Sequence, residues 1–194
     1  MFRKTLLAVL AAAAMMCGAS AFAAPPTTGP FGSGTIHFTG TITNSPCTVA
    51  PGDDALVVPF GQISYRTLSA ANDTTASQPI VIRLTQCAFD SDTGATNPNP
   101  VGLMSRVKVS FSGTATSDNK GYISTGTAQN VAVQLLKSDN STVIEANTTM
   151  PDGDAQQLQA GDNQLRFFAR LIAVGGAATP GSVDSTVTYT LTYM

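Results

Sequence analysis

The chain has no tryptophan, one histidine (His37) and few charges, with 11% of its 194 residues Asp, Glu, Lys or Arg. Each scarcity removes a class of function. His37 lies on the polar side of an alternating stretch with no acid or nucleophile near it in sequence, so no imidazole-based catalytic set is present. No run of Lys or Arg exists outside the first few residues, which leaves nothing to attract nucleic acid or an acidic membrane surface. Without tryptophan and with four tyrosines, an aromatic platform for sugars is poorly supplied. No segment sustains a helical period, and cysteine appears three times without a C-x-x-C spacing.

The acids that are present come in pairs, Asp53-Asp54, Asp90 with Asp92, and Asp152 with Asp154. All lie among Gly, Pro and Asn, where Asp serves turns by bonding its own backbone. A calcium site needs a denser set of oxygen ligands. We therefore expect no catalytic residue, no metal site and no cofactor. Asn72-Asp-Thr74, Asn140-Ser-Thr142 and Asn147-Thr-Thr149 match the N-glycosylation pattern, and chance matches are expected in a chain this rich in Asn and Thr.

The chain opens with Arg3 and Lys4, an apolar run from Leu6 to Met16, and then Gly18-Ala-Ser-Ala-Phe-Ala23. A basic start, a short apolar middle and small residues at −3 and −1 (Ala21 and Ala23) read as a secretory signal peptide over residues 1–23, cut before Ala24. The run is too short to span hydrocarbon. Cys17 raises a lipoprotein reading, but Met16 before it is not the small residue such processing wants. Export leaves 171 residues carrying eight basic and twelve acidic groups, a formal charge of −4. Cys47 and Cys87 remain, and in an exported chain such a pair is expected to form a disulfide. A zinc or redox pair is the alternative, and the spacing and the lone histidine give it little support. Closing a loop of about 40 residues stabilises a fold by about 4 kcal/mol in the chain-entropy account.

After a Pro- and Gly-rich arm, residues 24–34, the chain reads as short strands between turn-rich loops. Ala55–Phe60 is one apolar run. Ile80–Cys87, the set Val107, Val109 and Phe111, and the set Val131, Val133 and Leu135 alternate. Thr142–Ala146 is weaker, and Leu165–Val174 places Leu165, Phe167, Ala169, Leu171 and Ala173 on one face. Loops are expected at Asp90–Pro100 and Ser112–Gly126. The pattern predicts an all-β sandwich, immunoglobulin-like, over residues 45–194. Two alternations stand apart. In Thr35–Thr43, Ile36, Phe38, Gly40 and Ile42 share one side. In Gly181–Met194, Val183, Ser185, Val187, Tyr189, Leu191 and Tyr193 alternate with Asp184 and four threonines. The first is either the opening strand of the sandwich or a strand that completes another molecule. The second is an apolar strand with no partner following it in sequence.

The order of these pieces resembles the type 1 family of bacterial pilins, subunits of chaperone–usher fimbriae, across residues 24–194. Thr35-Ile-His-Phe-Thr-Gly-Thr-Ile-Thr43 precedes Cys47, Val58-Pro-Phe-Gly-Gln-Ile63 follows it, and Ile80-Val-Ile-Arg-Leu-Thr-Gln-Cys87 ends on the second cysteine. Leu165-Arg-Phe-Phe-Ala-Arg170 comes next, then Gly181, fourteenth from the end, and Tyr193, next to last.

The resemblance implies an immunoglobulin-like sandwich lacking its last strand and completed by donor-strand exchange, with a groove beside the terminal stretch Val183–Tyr193. Residues 24–44 become an N-terminal extension whose donor face is Ile36, Phe38, Gly40 and Ile42, Gly40 falling where the groove is shallow. Gly181, Val183, Val187, Tyr189, Leu191 and Tyr193 become the acceptor and chaperone-binding face, each lining the groove or facing the core. The implied partners are neighbouring pilin subunits, a periplasmic chaperone and an outer-membrane usher, with no nucleic acid and no small-molecule substrate. The implied role is a non-enzymatic structural subunit of a surface fimbria that supports cell adhesion. The chain departs from the pattern in its long Pro-rich arm, which would put Gly34 or Gly32 at the far end of the groove. Its own donor segment argues against a tip adhesin. The competing readings are a self-contained secreted β-sandwich that binds carbohydrate or protein, and a minor adaptor or terminator subunit.

Overall fold

The computed structural model describes Gly29, residues 32–94 and residues 98–194. The expected signal peptide lies outside them, as do residues 24–28 of the arm. Residues 35–43 carry no secondary structure, and Thr43–Met194 form one unit.

Among the described residues the unit has nine strands: β1 (Thr48–Val49), β2 (Gln78–Cys87), β3 (Arg106–Gly113), β4 (Tyr122–Ile123), β5 (Val131–Leu136), β6 (Val143–Ile144), β7 (Gln156–Gln157), β8 (Gly161–Ala173) and β9 (Val187–Tyr193). They form two antiparallel sheets. The larger runs β1-β2-β8-β5-β4, with β6 also on β5, and the smaller runs β7-β3-β9.

Alternation decides which side chains meet between the sheets. Ile80, Ile82 and Leu84 of β2, Leu165, Phe167, Ala169, Leu171 and Ala173 of β8, and Val107, Val109 and Phe111 of β3 are all buried. Phe111 and Phe167 meet edge to face across the sheets, ring centres 5.2 Å apart. Cys47 and Cys87 are joined by a disulfide that ties the start of β1 to the end of β2.

Three expectations need correction. Ala55–Phe60 is not a strand: Asp53–Ala55 is a 3-10 turn and residues 56–63 have no strand assignment. A strand requires a hydrogen-bonded neighbour, and Pro59 in addition lacks an N–H. The stretch Ser112–Gly126 is not only loop. It contains β4, whose Tyr122 is 1% exposed and donates its hydroxyl to the Phe111 carbonyl (2.9 Å). In β5, alternation predicts one buried face, yet all six residues are buried. The turn at residues 116–121 covers the outer face, where Gln134 donates to the Lys120 carbonyl (3.0 Å) and accepts from Arg170 Nε (2.9 Å).

Candidate functional site

β9 lies at the end of the smaller sheet. Its seven residues pair with β3, from Val107↔Tyr193 to Gly113↔Val187. Ahead of it, the Ala128 and Thr125 amides donate to the Ser182 and Asp184 carbonyls, 3.0 and 2.7 Å. Its other edge pairs with no strand among the described residues. The expected alternation holds along its whole length. Asp184, Thr186, Thr188, Thr190 and Thr192 are exposed, while Val183, Ser185, Val187, Tyr189, Leu191 and Tyr193 are only half-buried. The inward residues of β3, by contrast, are fully buried. The core face of β9 is therefore incompletely covered.

What borders that face is an open groove with residues 56–63 as the opposite wall. Leu56 and Val57 stand on its rim, Val57 being 86% exposed. Two adjoining cavities fill it, of about 550 and 470 Å³, both lined by Val58, Phe60 and Val183. Leu68, Val131 and Leu171 contribute to the first, and Ile80, Ile82, Phe111, Val133, Leu135 and Ala169 to the second. The second cavity thus has residues of both sheets in its lining. Backbone with an unpaired edge beside an apolar trench calls for an added strand.

The residues singled out from the sequence divide as follows. Gly181, Val183, Val187 and Tyr189 line the cavities, and Leu191 and Tyr193 line neither. Those last two pack against the core cluster, as Val183, Val187 and Tyr189 also do. Gly181 owes its place to close backbone approach: a Cβ there would fall 2.7 Å from Ala128 Cα and from the Thr127 carbonyl carbon. On the expected donor segment, Ile36, Phe38 and Ile42 are 79, 85 and 101% exposed, and Gly40 is exposed beside them.

Sequence reasoning missed Asp53 and Arg83. Asp53, read above as a turn residue, is 1% exposed, and its carboxylate accepts three bonds from Arg83: backbone N–H at 2.7 Å, Nε at 3.0 Å and Nη2 at 2.6 Å. Those bonds hold the Asp53 carboxyl below the usual carboxylate range. Tyr189 crosses from the smaller sheet to donate its hydroxyl to the Asp53 carbonyl, 2.8 Å. Burial first, and then the Asp53 and Asp54 charges, push the Tyr189 hydroxyl up. Burial does the same to Tyr193. Its hydroxyl is enclosed without a hydrogen-bond partner among the described residues, the Ser45 hydroxyl beside it being turned to the Cys47 carbonyl at 2.9 Å. No spacing rule joins residues 53, 83 and 189, so nothing local signals the cluster.

The fold and the groove define a class: an all-β sandwich with an open apolar groove beside the unpaired edge of β9. Comparison with known proteins agrees. The fimbrial protein family matches residues 36–194. The fimbrial subunit type 1 of Salmonella typhimurium is 31% identical over 98% of this chain and 99% of its own. The type-1 fimbrial protein A chain of Salmonella typhi is 32% identical over the full length of both. A solved chaperone–usher pilus subunit superposes with a TM-score of 0.68 over 87% of this chain and all of its own, at 24% identity, which speaks to fold alone. The chain belongs to the fimbrial protein family, a family of structural pilus subunits rather than enzymes.

Proposed function

We propose that this subunit polymerises by donor-strand complementation, residues 35–43 of one copy lying along the free edge of β9 in the next. The observation that carries the reading is the half-buried apolar face of Val183–Tyr189 beside an open trench. Such an edge is completed by strand addition, in which main-chain bonds supply affinity and alternate side chains supply register. The exposed Ile36, Phe38 and Ile42 are the side chains available to enter it. Burying three large apolar side chains contributes about 5–9 kcal/mol before ordering costs.

In this account a periplasmic chaperone occupies the groove after export, the usher exchanges it for the next subunit's donor, and the fibre stands on the cell surface in support of adhesion. The open groove favours a subunit that accepts a donor over one that terminates the fibre. Phe38→Asp puts a charge on the donor face, and we expect it to abolish fibres while soluble subunit still accumulates with its chaperone. Electron microscopy and subunit yield read both quantities. Normal fibres from this variant would remove the donor assignment.

A further inference from the structure

The turn that leads into β3 holds two large apolar side chains in solvent on a tightly fastened backbone. Leu103 and Met104 are 49 and 45% exposed. Asparagine takes five of the seven positive-φ positions outside glycine among the described residues, and Met104, at φ 59°, is one of the two exceptions. Gly102 is buried, and a Cβ there would fall 2.5 Å from the Asp90 carbonyl oxygen. The Leu103 amide donates to that same carbonyl (2.8 Å), and buried Ser105 donates its hydroxyl to the Gly102 carbonyl (2.6 Å). Two carboxylates stand beside the pair. Asp90 is exposed, and Asp92 accepts from the Asn99 amide (2.8 Å). Neither belongs to an ion pair among the described residues.

The outer face of the larger sheet has the complementary chemistry. Alternation along β8 sends Leu165, Phe167, Ala169 and Leu171 into the core, so Arg166, Phe168 and Arg170 face outward. Half-buried Phe168 lies across from Pro79 of β2 and Leu136 of β5, and Arg166 across from Val81. The two arginines are about 13 Å apart along the strand. Both bond neutral amides: Arg166 Nη2 donates to Gln164 Oε1 (3.0 Å), and Arg170 Nε to Gln134 Oε1 (2.9 Å). Neither is in an ion pair among the described residues. Residues 24–194 carry twelve acidic groups and eight basic ones. Two cations left to neutral partners in so acidic a chain favour a carboxylate from outside.

We propose that the turn of one copy docks on this face of a second copy. Leu103 and Met104 cover Phe168 and its apolar neighbours, and Asp90 and Asp92 approach Arg166 and Arg170. A free polyanion would be repelled by the net negative chain and would leave Phe168 uncovered, whereas the turn brings apolar and acidic groups together. The two patches differ, so the contact is heterologous and repeats along a polymer instead of closing on one pair. Copies in one fibre hold each other at high effective concentration, which lets a small contact form. The proposal rests on this chain forming fibres, and not on residues 35–43 being the donor.

The test is carbodiimide coupling, which joins a carboxylate directly to an amine in contact with it, on fibres carrying Arg166→Lys and Arg170→Lys. Those changes keep the charge and supply the amine. Fibres are then boiled in detergent, so that only covalently joined subunits run as dimers, and the dimer band is read by peptide mass spectrometry. We expect a junction between Asp90 or Asp92 and position 166 or 170, lost when Asp90→Asn and Asp92→Asn are added. Leu103→Ser with Met104→Ser leaves every coupling group in place and should lose the junction too. A dimer band without the junction overturns the contact, as does a junction undiminished by the two serine substitutions.

Should the lysine changes themselves prevent assembly, oxidation of Met104 by dilute peroxide decides the matter on the parent chain. It should be at least about fivefold slower in fibres than in soluble, unassembled subunit, because docking removes the sulfur from solvent. Equal rates contradict the contact. If the parent chain forms no fibres, the assembly reading and the contact fall together. Fibres that lack the junction remove only the contact.

Discussion

Gly181 shows how one missing side chain shapes the groove. Backbone from Ser182 to Asp184 must run close against residues 125–128 to continue into β9, and a Cβ at 181 would collide with the Ala128 backbone. Replacement by alanine or valine forces that crossing apart, at a cost of about 1–3 kcal/mol for overpacking. Denaturant unfolding of Gly181→Val beside its parent reads the loss directly, and an unchanged midpoint would deny the close approach. Asparagine has a comparable geometric use elsewhere. Asn72, Asn140 and Asn147, which carry the glycosylation-like triplets, all adopt positive φ, as do Asn119 and Asn130. Asn tolerates that backbone region better than most residues, so turn geometry accounts for them. The sequence alone could mark Gly181 by its place in an ordered motif. It could not say that the reason is a backbone contact with a segment more than fifty positions earlier.

Elements were legible where the burial pattern is one-sided. β2, β3 and β8 as far as Leu171 alternate in sequence and in burial, and β9 does so along every residue. The elements that misled are those whose partners lie far along the chain. β5 looks one-sided until a separate turn covers its outer face. Residues 56–60 read as a strand because they are apolar, yet they are apolar as the wall of a groove. Asp53 anchors the start of that wall, and its depressed carboxyl has a consequence for pH. Its folded value lies below the unfolded value of about 3.9, so the ion pair stabilises fully above that pH and is lost as pH falls through the folded value. Asp118 and Asp152 are depressed as well and share the acid slope. Asp53→Asn should therefore be less stable than its parent at pH 7 and lose less stability between pH 5 and pH 2. Melting curves across that range check it, and parallel profiles would mean that the Arg83 contact carries no weight.

At the scale of the whole molecule, the sandwich has its disulfide, its cross-sheet core and its two sheets, and still leaves one apolar strand face half-covered. On the donor-strand reading, a subunit of this kind stores its affinity for a neighbour as its own incompleteness. On this reading the groove takes a strand with the sequence of residues 35–43. The most direct test is thermal melting of the oxidised full chain carrying Phe38→Asp, with and without a peptide copying those residues. A peptide in thousandfold excess over its Kd adds about 4 kcal/mol to the folded state, which for a domain of this size raises Tm by about 8–16 °C. A rise of that order, depending on peptide concentration and absent for a peptide bearing Phe38→Asp, is the predicted result. A cooperative transition that ignores both peptides would mean that the sandwich needs no added strand.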